Sequence, residues 1–127
     1  GNSCRSQIAH GLMSDIARDR FDIFSAGTSP SKVHPVAIEV MHEIGINISH
    51  YSSNHINGYL DKNIDFVITV CDNANNDCPI FPGDLIRIHW GIDDPFRNWS
   101  YDEKDLEVFR NTRDIIKEKI KELLVDI

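Results

Sequence analysis

The first six residues, Gly1-Asn2-Ser3-Cys4-Arg5-Ser6, have the types and order of the second half of an anion-binding loop of the Cys-x5-Arg-Ser kind. Small residues let successive backbone N–H groups turn inward around one tetrahedral oxyanion, and a helix starting at the loop adds its positive N-terminal end. Arg5 supplies a planar fork that can grip two oxyanion oxygens at once. A hydroxyl such as that of Ser6 can hydrogen-bond a thiolate and keep it ionised, which makes a cysteine a usable nucleophile near neutral pH. Counting six positions back from Arg5 puts that cysteine two residues before Gly1. The chain is therefore expected to carry the oxyanion cradle, Gly1, Asn2, Ser3, Cys4, Arg5 and Ser6, without the nucleophile. A plain turn with Ser6 capping a helix would use the same residues.

Further along, Cys71 follows a short apolar run, and Cys78 comes seven residues later across Asp72-Asn73-Ala74-Asn75-Asn76-Asp77. A polar surface loop of this kind can bring two thiols together when the backbone reaches disulfide geometry. A buried strand-end thiol and an incidental loop thiol would give the same sequence. Asp94 precedes Pro95, and a residue before proline is held extended, away from helix. Beside an oxyanion loop such a carboxyl group can protonate a leaving oxygen, although Asp-Pro pairs also occur in ordinary turns.

The elements that must position these groups are legible in the apolar spacing. Residues 5–18 form a predicted helix with Ile8, Leu12, Met13 and Ile16 inward. Residues 21–26 alternate in part and stop at Gly27, which predicts a strand. A helix over 35–44 starts on Pro35 and closes on Gly45, and a short helix is expected near 56–60. The β-branched run 66–70 predicts a strand suited to a sheet covered on both faces. Residues 71–84 are rich in turn formers, 85–89 predict another strand, and 105–124 form a long amphipathic helix with Leu106, Phe109, Ile116, Ile120 and Leu123 inward. This alternation implies one α/β domain over residues 1–127, a three-layer parallel sheet of about four strands with helices on both faces. Ligands of such sheets collect at the carboxyl ends of the strands, and a further strand is expected before Gly1.

The bulk numbers exclude several classes. With 127 residues and 41% hydrophobic content, one ordinary core is expected. A net charge of −7 with dispersed basic residues argues against nucleic acid and anionic membrane. No apolar run is long enough to span a bilayer, and three cysteines without an export signal point to reduced thiols in the cytoplasm. The six histidines lack paired ligand spacing, so neither a structural metal nor a cofactor is expected.

Taken together, Gly1-Asn2-Ser3-Cys4-Arg5-Ser6-Gln7, Phe24-Ser25-Ala26-Gly27, Cys71 with Cys78-Pro79, and His89-Trp90-Gly91-Ile92-Asp93-Asp94-Pro95 resemble, in the same order, the thioredoxin-coupled arsenate reductases, which share the fold of low-molecular-weight protein tyrosine phosphatases. The loop and the Asp-Pro pair belong to both groups, whereas the cysteine pair and the His-Trp-Gly-x-Asp-Asp-Pro run point to the reductases. The resemblance implies that the upstream cysteine attacks arsenate held by Arg5 and the loop, with Asp94 protonating the departing oxygen. It implies further that Cys71 attacks that cysteine's sulfur and that Cys78 then attacks Cys71, leaving a Cys71–Cys78 disulfide for thioredoxin. Cys4 has no role in this relay.

The chain departs from the pattern in places. In some members, acidic residues at the positions of His10 and Asn54, with positions matching Asn2 and Ser25, hold a potassium ion. A His and an Asn here remove two negative charges, which speaks against that ion. Phe96 is larger than the small residue the reductases carry, and an aromatic there resembles the phosphatases. Arsenate reduction is thus the first expectation, and hydrolysis of phosphate monoesters is the alternative. A third reading, an oxyanion-binding protein without turnover, applies to a chain that has no nucleophile.

Overall fold

A helix, α1 (Arg5–Ala17), begins immediately after Cys4 in the computed structural model, which describes residues 2–27, 30–70 and 81–127. Among the described residues no side chain caps α1 at Cys4 and no acidic residue occupies its first turn, so the positive end of the helix dipole is not offset there by a carboxylate of its own. Gln7, Ile8, Gly11, Leu12 and Ala17 are its buried face. Ile16, expected inward, is 40% exposed. The rotation follows from Gly11, where a Cβ would meet Ile48 Cγ2 at 2.7 Å and Met41 Cε at 3.0 Å. Only glycine lets the helix come this close, and that contact sets which side of α1 is covered.

Helix α2 (Pro35–His42) has proline at its start, where the missing N–H is not needed. His34 caps it, accepting from Val36 N–H at 3.1 Å through Nδ1. The helix ends two residues short of the expected boundary because Gly45, at φ 81, turns the chain and donates to His42 O at 3.0 Å. Helix α3 (Leu106–Asp126) follows a 3₁₀ turn (Glu103–Asp105) capped by Asp102, and buries Phe109, Thr112, Ile116 and Ile120. It packs on α1 and α2. Arg110 and Arg113 of α3 both grip Glu43 at the end of α2, and Arg113 Nη1 also donates to Val40 O at 2.8 Å. Ile8, Val36, Val40, Met41, Ile48, Phe109, Ile116 and Ile120 are almost wholly removed from water in one cluster. Each such side chain contributes about 1.5–3 kcal/mol of transfer free energy.

The sheet among the described residues is a parallel pair, β1 (Phe66–Thr69) and β2 (Ile86–His89), in register from Phe66↔Ile86 to Thr69↔His89. Ile68 and Ile88, paired on one face, pack against the helical core, whereas Ile86 is 55% exposed. Residues 21–26, expected as a strand, are not one. Among the described residues only Gly27 finds a ladder partner, in a single parallel bridge with His55. A strand exists only through its neighbour, and the partial alternation of 21–26 supplies none. The short helix near 56–60 is a 3₁₀ turn, Ile56–Tyr59.

Candidate functional site

The loop expected to hold the anion is held in shape from within. Asn2 is fully buried, and its Nδ2 donates to Ser6 Oγ at 2.7 Å. Its Oδ1 accepts from Gln7 Nε2 at 2.8 Å and from Asn54 N–H at 3.0 Å. Gln7 Nε2 also donates to Asn2 O and Ser52 O, while Gln7 Oε1 is buried with no partner among the described residues. Ser6 therefore receives its hydrogen bond from Asn2, and its own O–H has no acceptor among the described residues.

Arg5 opens α1 and reaches across to the segment after β2. Its Nη1 donates to Ile92 O at 2.7 Å, and its Nη2 lies 3.4 Å from Asp94 Oδ2. The other Asp94 oxygen accepts from Phe96 N–H at 3.0 Å, so the carboxyl group is aimed by its own loop. Buried Ile92 and Pro95 flank the carboxylate-bearing stretch, which keeps the backbone fixed while Asp94 remains 40% exposed and open to solvent. Ser3, Arg5, Ser6, Asp94, Phe96 and Trp99 border one cleft. Phe96 and Trp99 meet edge to face at 5.1 Å and form its aromatic wall.

The structure thus brings together the loop residues Asn2, Ser3, Cys4, Arg5 and Ser6 with Asp94. Gly1, Cys71 and Cys78 lie outside the described residues. Cys4 points into the core and is 5% exposed. Burial, with the nearby Asp94 carboxylate adding to it against the pull of Arg5, pushes its thiol up to about 12. Such a thiol is inert, and iodoacetamide at pH 8 should leave Cys4 unmodified in the folded protein, as peptide mass mapping would show. Unfolded, the group ionises near 9.0, so the folded state retains a proton that the unfolded chain releases. Stability should therefore fall as pH climbs from 9 toward 12, and Cys4→Ala should flatten that decline.

The residues at the matching potassium positions do not fit that ion. His10 and Ser25 are occupied with each other, Nδ1 to Oγ at 2.8 Å, and Tyr51 covers the imidazole at 4.6 Å. Burial holds the His10 pKa below its ordinary value, so the ring is neutral near pH 7. Both acceptor directions of Asn2 Oδ1 are used by Gln7 and Asn54, and no carboxylate is present among these four residues.

Sequence spacing missed two contributors. The Ile92 carbonyl cannot be read from a side-chain pattern. His34 stood only among scattered histidines, although a polar residue before a proline that opens a helix is an N-cap signal.

The family model for low molecular weight phosphotyrosine protein phosphatases matches residues 1–127. An arsenate reductase of Halalkalibacterium halodurans is 43% identical over 121 residues, which cover 95% of this chain and 87% of that protein. A solved structure of an arsenate reductase in the phosphate-binding state superposes with a TM-score of 0.82 at 36% identity, covering 99% of this chain and 92% of the other. A thioredoxin-dependent arsenate reductase of Corynebacterium glutamicum superposes with a TM-score of 0.68 at 28% identity over 99% of this chain and 59% of its own. With the loop, the arginine and the Asp-Pro segment gathered on one cleft, the chain belongs to the low molecular weight phosphotyrosine protein phosphatase family.

Proposed function

We propose that this protein reduces arsenate to arsenite through a cysteine relay recharged by thioredoxin in the cytoplasm. The observation that carries the reading is the meeting of Arg5 and Asp94 at the head of α1, in a chain whose relatives include arsenate reductases. Arg5 and the loop amides hold the oxyanion, and a cysteine six positions before Arg5 attacks arsenic. Asp94 protonates the oxygen that leaves as water. Cys71 then attacks that cysteine's sulfur. The As–S electron pair goes to arsenic, and arsenite departs with two more electrons than arsenate. Cys78 attacks Cys71, the first cysteine is freed as a thiol, and the Cys71–Cys78 disulfide takes its two electrons from thioredoxin. In this scheme the sheet of about four strands includes one that leads into the loop and carries the nucleophile.

The test is arsenate-dependent NADPH oxidation by the full-length protein with thioredoxin and thioredoxin reductase. Turnover is expected. None, with both coupling proteins active, would move the assignment to hydrolysis of phosphate monoesters, the reading that the Phe96–Trp99 wall favours. Asp94→Asn should slow either reaction about a hundredfold, the low end for loss of a general acid. An unchanged steady-state rate would remove Asp94 from that role.

A further inference from the structure

The loop carrying Asp94 and the loop carrying Arg5 are far apart in sequence, and their meeting needs a fastener. His34 touches both. Its backbone N–H donates to Ser3 O at 3.0 Å, inside the anion loop. Its ring Nδ1 accepts from Val36 N–H at 3.1 Å, which places the ring hydrogen on Nε2. That hydrogen is donated to Asn98 O at 2.6 Å, four residues after Asp94. The imidazole stacks on Trp99 at 5.6 Å and 20°, meets Phe96 edge on at 5.6 Å, and rests on Phe109 of α3 at 4.9 Å. Phe96 is the residue whose N–H aims the Asp94 carboxyl group. The side of this segment away from the cleft has its own tether, Arg97 Nε to buried Asp105 at 2.8 Å. The side toward the anion loop has His34.

We propose that His34 is a positioning residue of the oxyanion site, clamping the Asp94 segment in register with the loop that carries Arg5. The chemistry it serves rests on the function proposed above, but the clamp itself does not. A ring that is 1% exposed and satisfied at both nitrogens adopts one pose, so displacement of Asp94 requires this contact to break. Misplacement by about 1 Å of a group that transfers a proton costs up to about a hundredfold in rate, while oxyanion binding by the opposite loop is less affected.

His34→Asn in the full-length protein separates capping from clamping. Asparagine caps a helix as well as any residue, so α2 and the fold should persist, but its side chain is too short to reach Asn98 and leaves the aromatic nest empty. In ¹H–¹⁵N spectra the Phe96 and Asn98 amides and the Trp99 indole should shift, with the second half of α3 little changed. Changes confined to α2 would overturn the clamp. In kinetics, kcat for arsenate should fall about tenfold with KM within about twofold. In an Asp94→Asn background the same substitution should cost less than about twofold, because both changes remove one function. Equal losses in the two backgrounds would make His34 merely structural and overturn the proposal. His34→Gln, which keeps a donor within reach of Asn98, should recover part of kcat. Spectral shifts as described in a protein that reduces no arsenate would support the clamp and overturn the reductase assignment instead.

Discussion

Arg5→Lys should lower arsenate turnover by about 10²–10³-fold, the range found when one preorganised oxyanion donor is removed. The substitution keeps the positive charge and so isolates geometry. One guanidinium nitrogen is spent on Ile92 O at 2.7 Å and another faces Asp94 at 3.4 Å, so the arginine orients the acid loop as well as presenting a fork to the cleft. An ammonium is a point donor on a flexible stem and cannot meet Ile92, Asp94 and two oxyanion oxygens together. The loss should therefore fall mainly on kcat, since the charge that attracts the anion remains and only the alignment of the transition state suffers. Steady-state kinetics in the thioredoxin-coupled assay would show this, with inorganic phosphate as competitive inhibitor reporting the affinity of the loop. A loss below tenfold would mean that Arg5 acts only through its charge. Arg5→Lys should also be non-additive with Asp94→Asn, because the first change already loosens the second residue.

What the sequence discloses about this molecule divides along the range of the interactions involved. The run 66–70 and the amphipathic spacing of 105–124 are local signals, and both appear as β1 and α3 within a residue or two. Residues 21–26 carry a weaker version of the same strand signal, and it does not decide the outcome because pairing depends on what lies alongside. Ile16 fails for a related reason. The helical period gives a stripe, but the close contact at Gly11 chooses how the stripe is turned. At the candidate site, residue types single out Arg5 and Asp94 as expectations, and the structure brings the two side chains within 3.4 Å. His34 announces nothing of the kind. Its importance arises from partners at Ser3 and Asn98, brought together only when the anion loop, α2 and the Asp94 segment have all folded.

Cys71→Ser and Cys78→Ser should each abolish thioredoxin-dependent turnover while sparing any hydrolysis of an aryl phosphate, and the way each fails should differ. Both cysteines fall outside the described residues, so support for their pairing comes from what surrounds their place in the chain. β1 ends at Thr69, whose carbonyl accepts from Trp90 N–H at 2.8 Å and whose hydroxyl lies 2.6 Å from His89 Nδ1. The carboxyl ends of both strands thus meet at one edge. Val70, the last described residue before Cys71, follows β1 at that edge, the stretch running through Ile92 and Asp94 to the Arg5 contact leaves from it, and ligands of parallel sheets gather there. Without Cys71, nothing attacks the sulfur of the arsenic-bearing cysteine, and arsenite release should stop before one equivalent. Without Cys78, one equivalent of arsenite should appear and the protein should halt with Cys71 in a disulfide to the upstream cysteine. Quench-flow measurement of arsenite per protein, with peptide mapping of the trapped disulfide, distinguishes the two. Hydrolysis needs no electrons, so it should survive in both variants, whereas parallel loss of hydrolysis and reduction would mean that these cysteines support the fold of the site and not an electron relay.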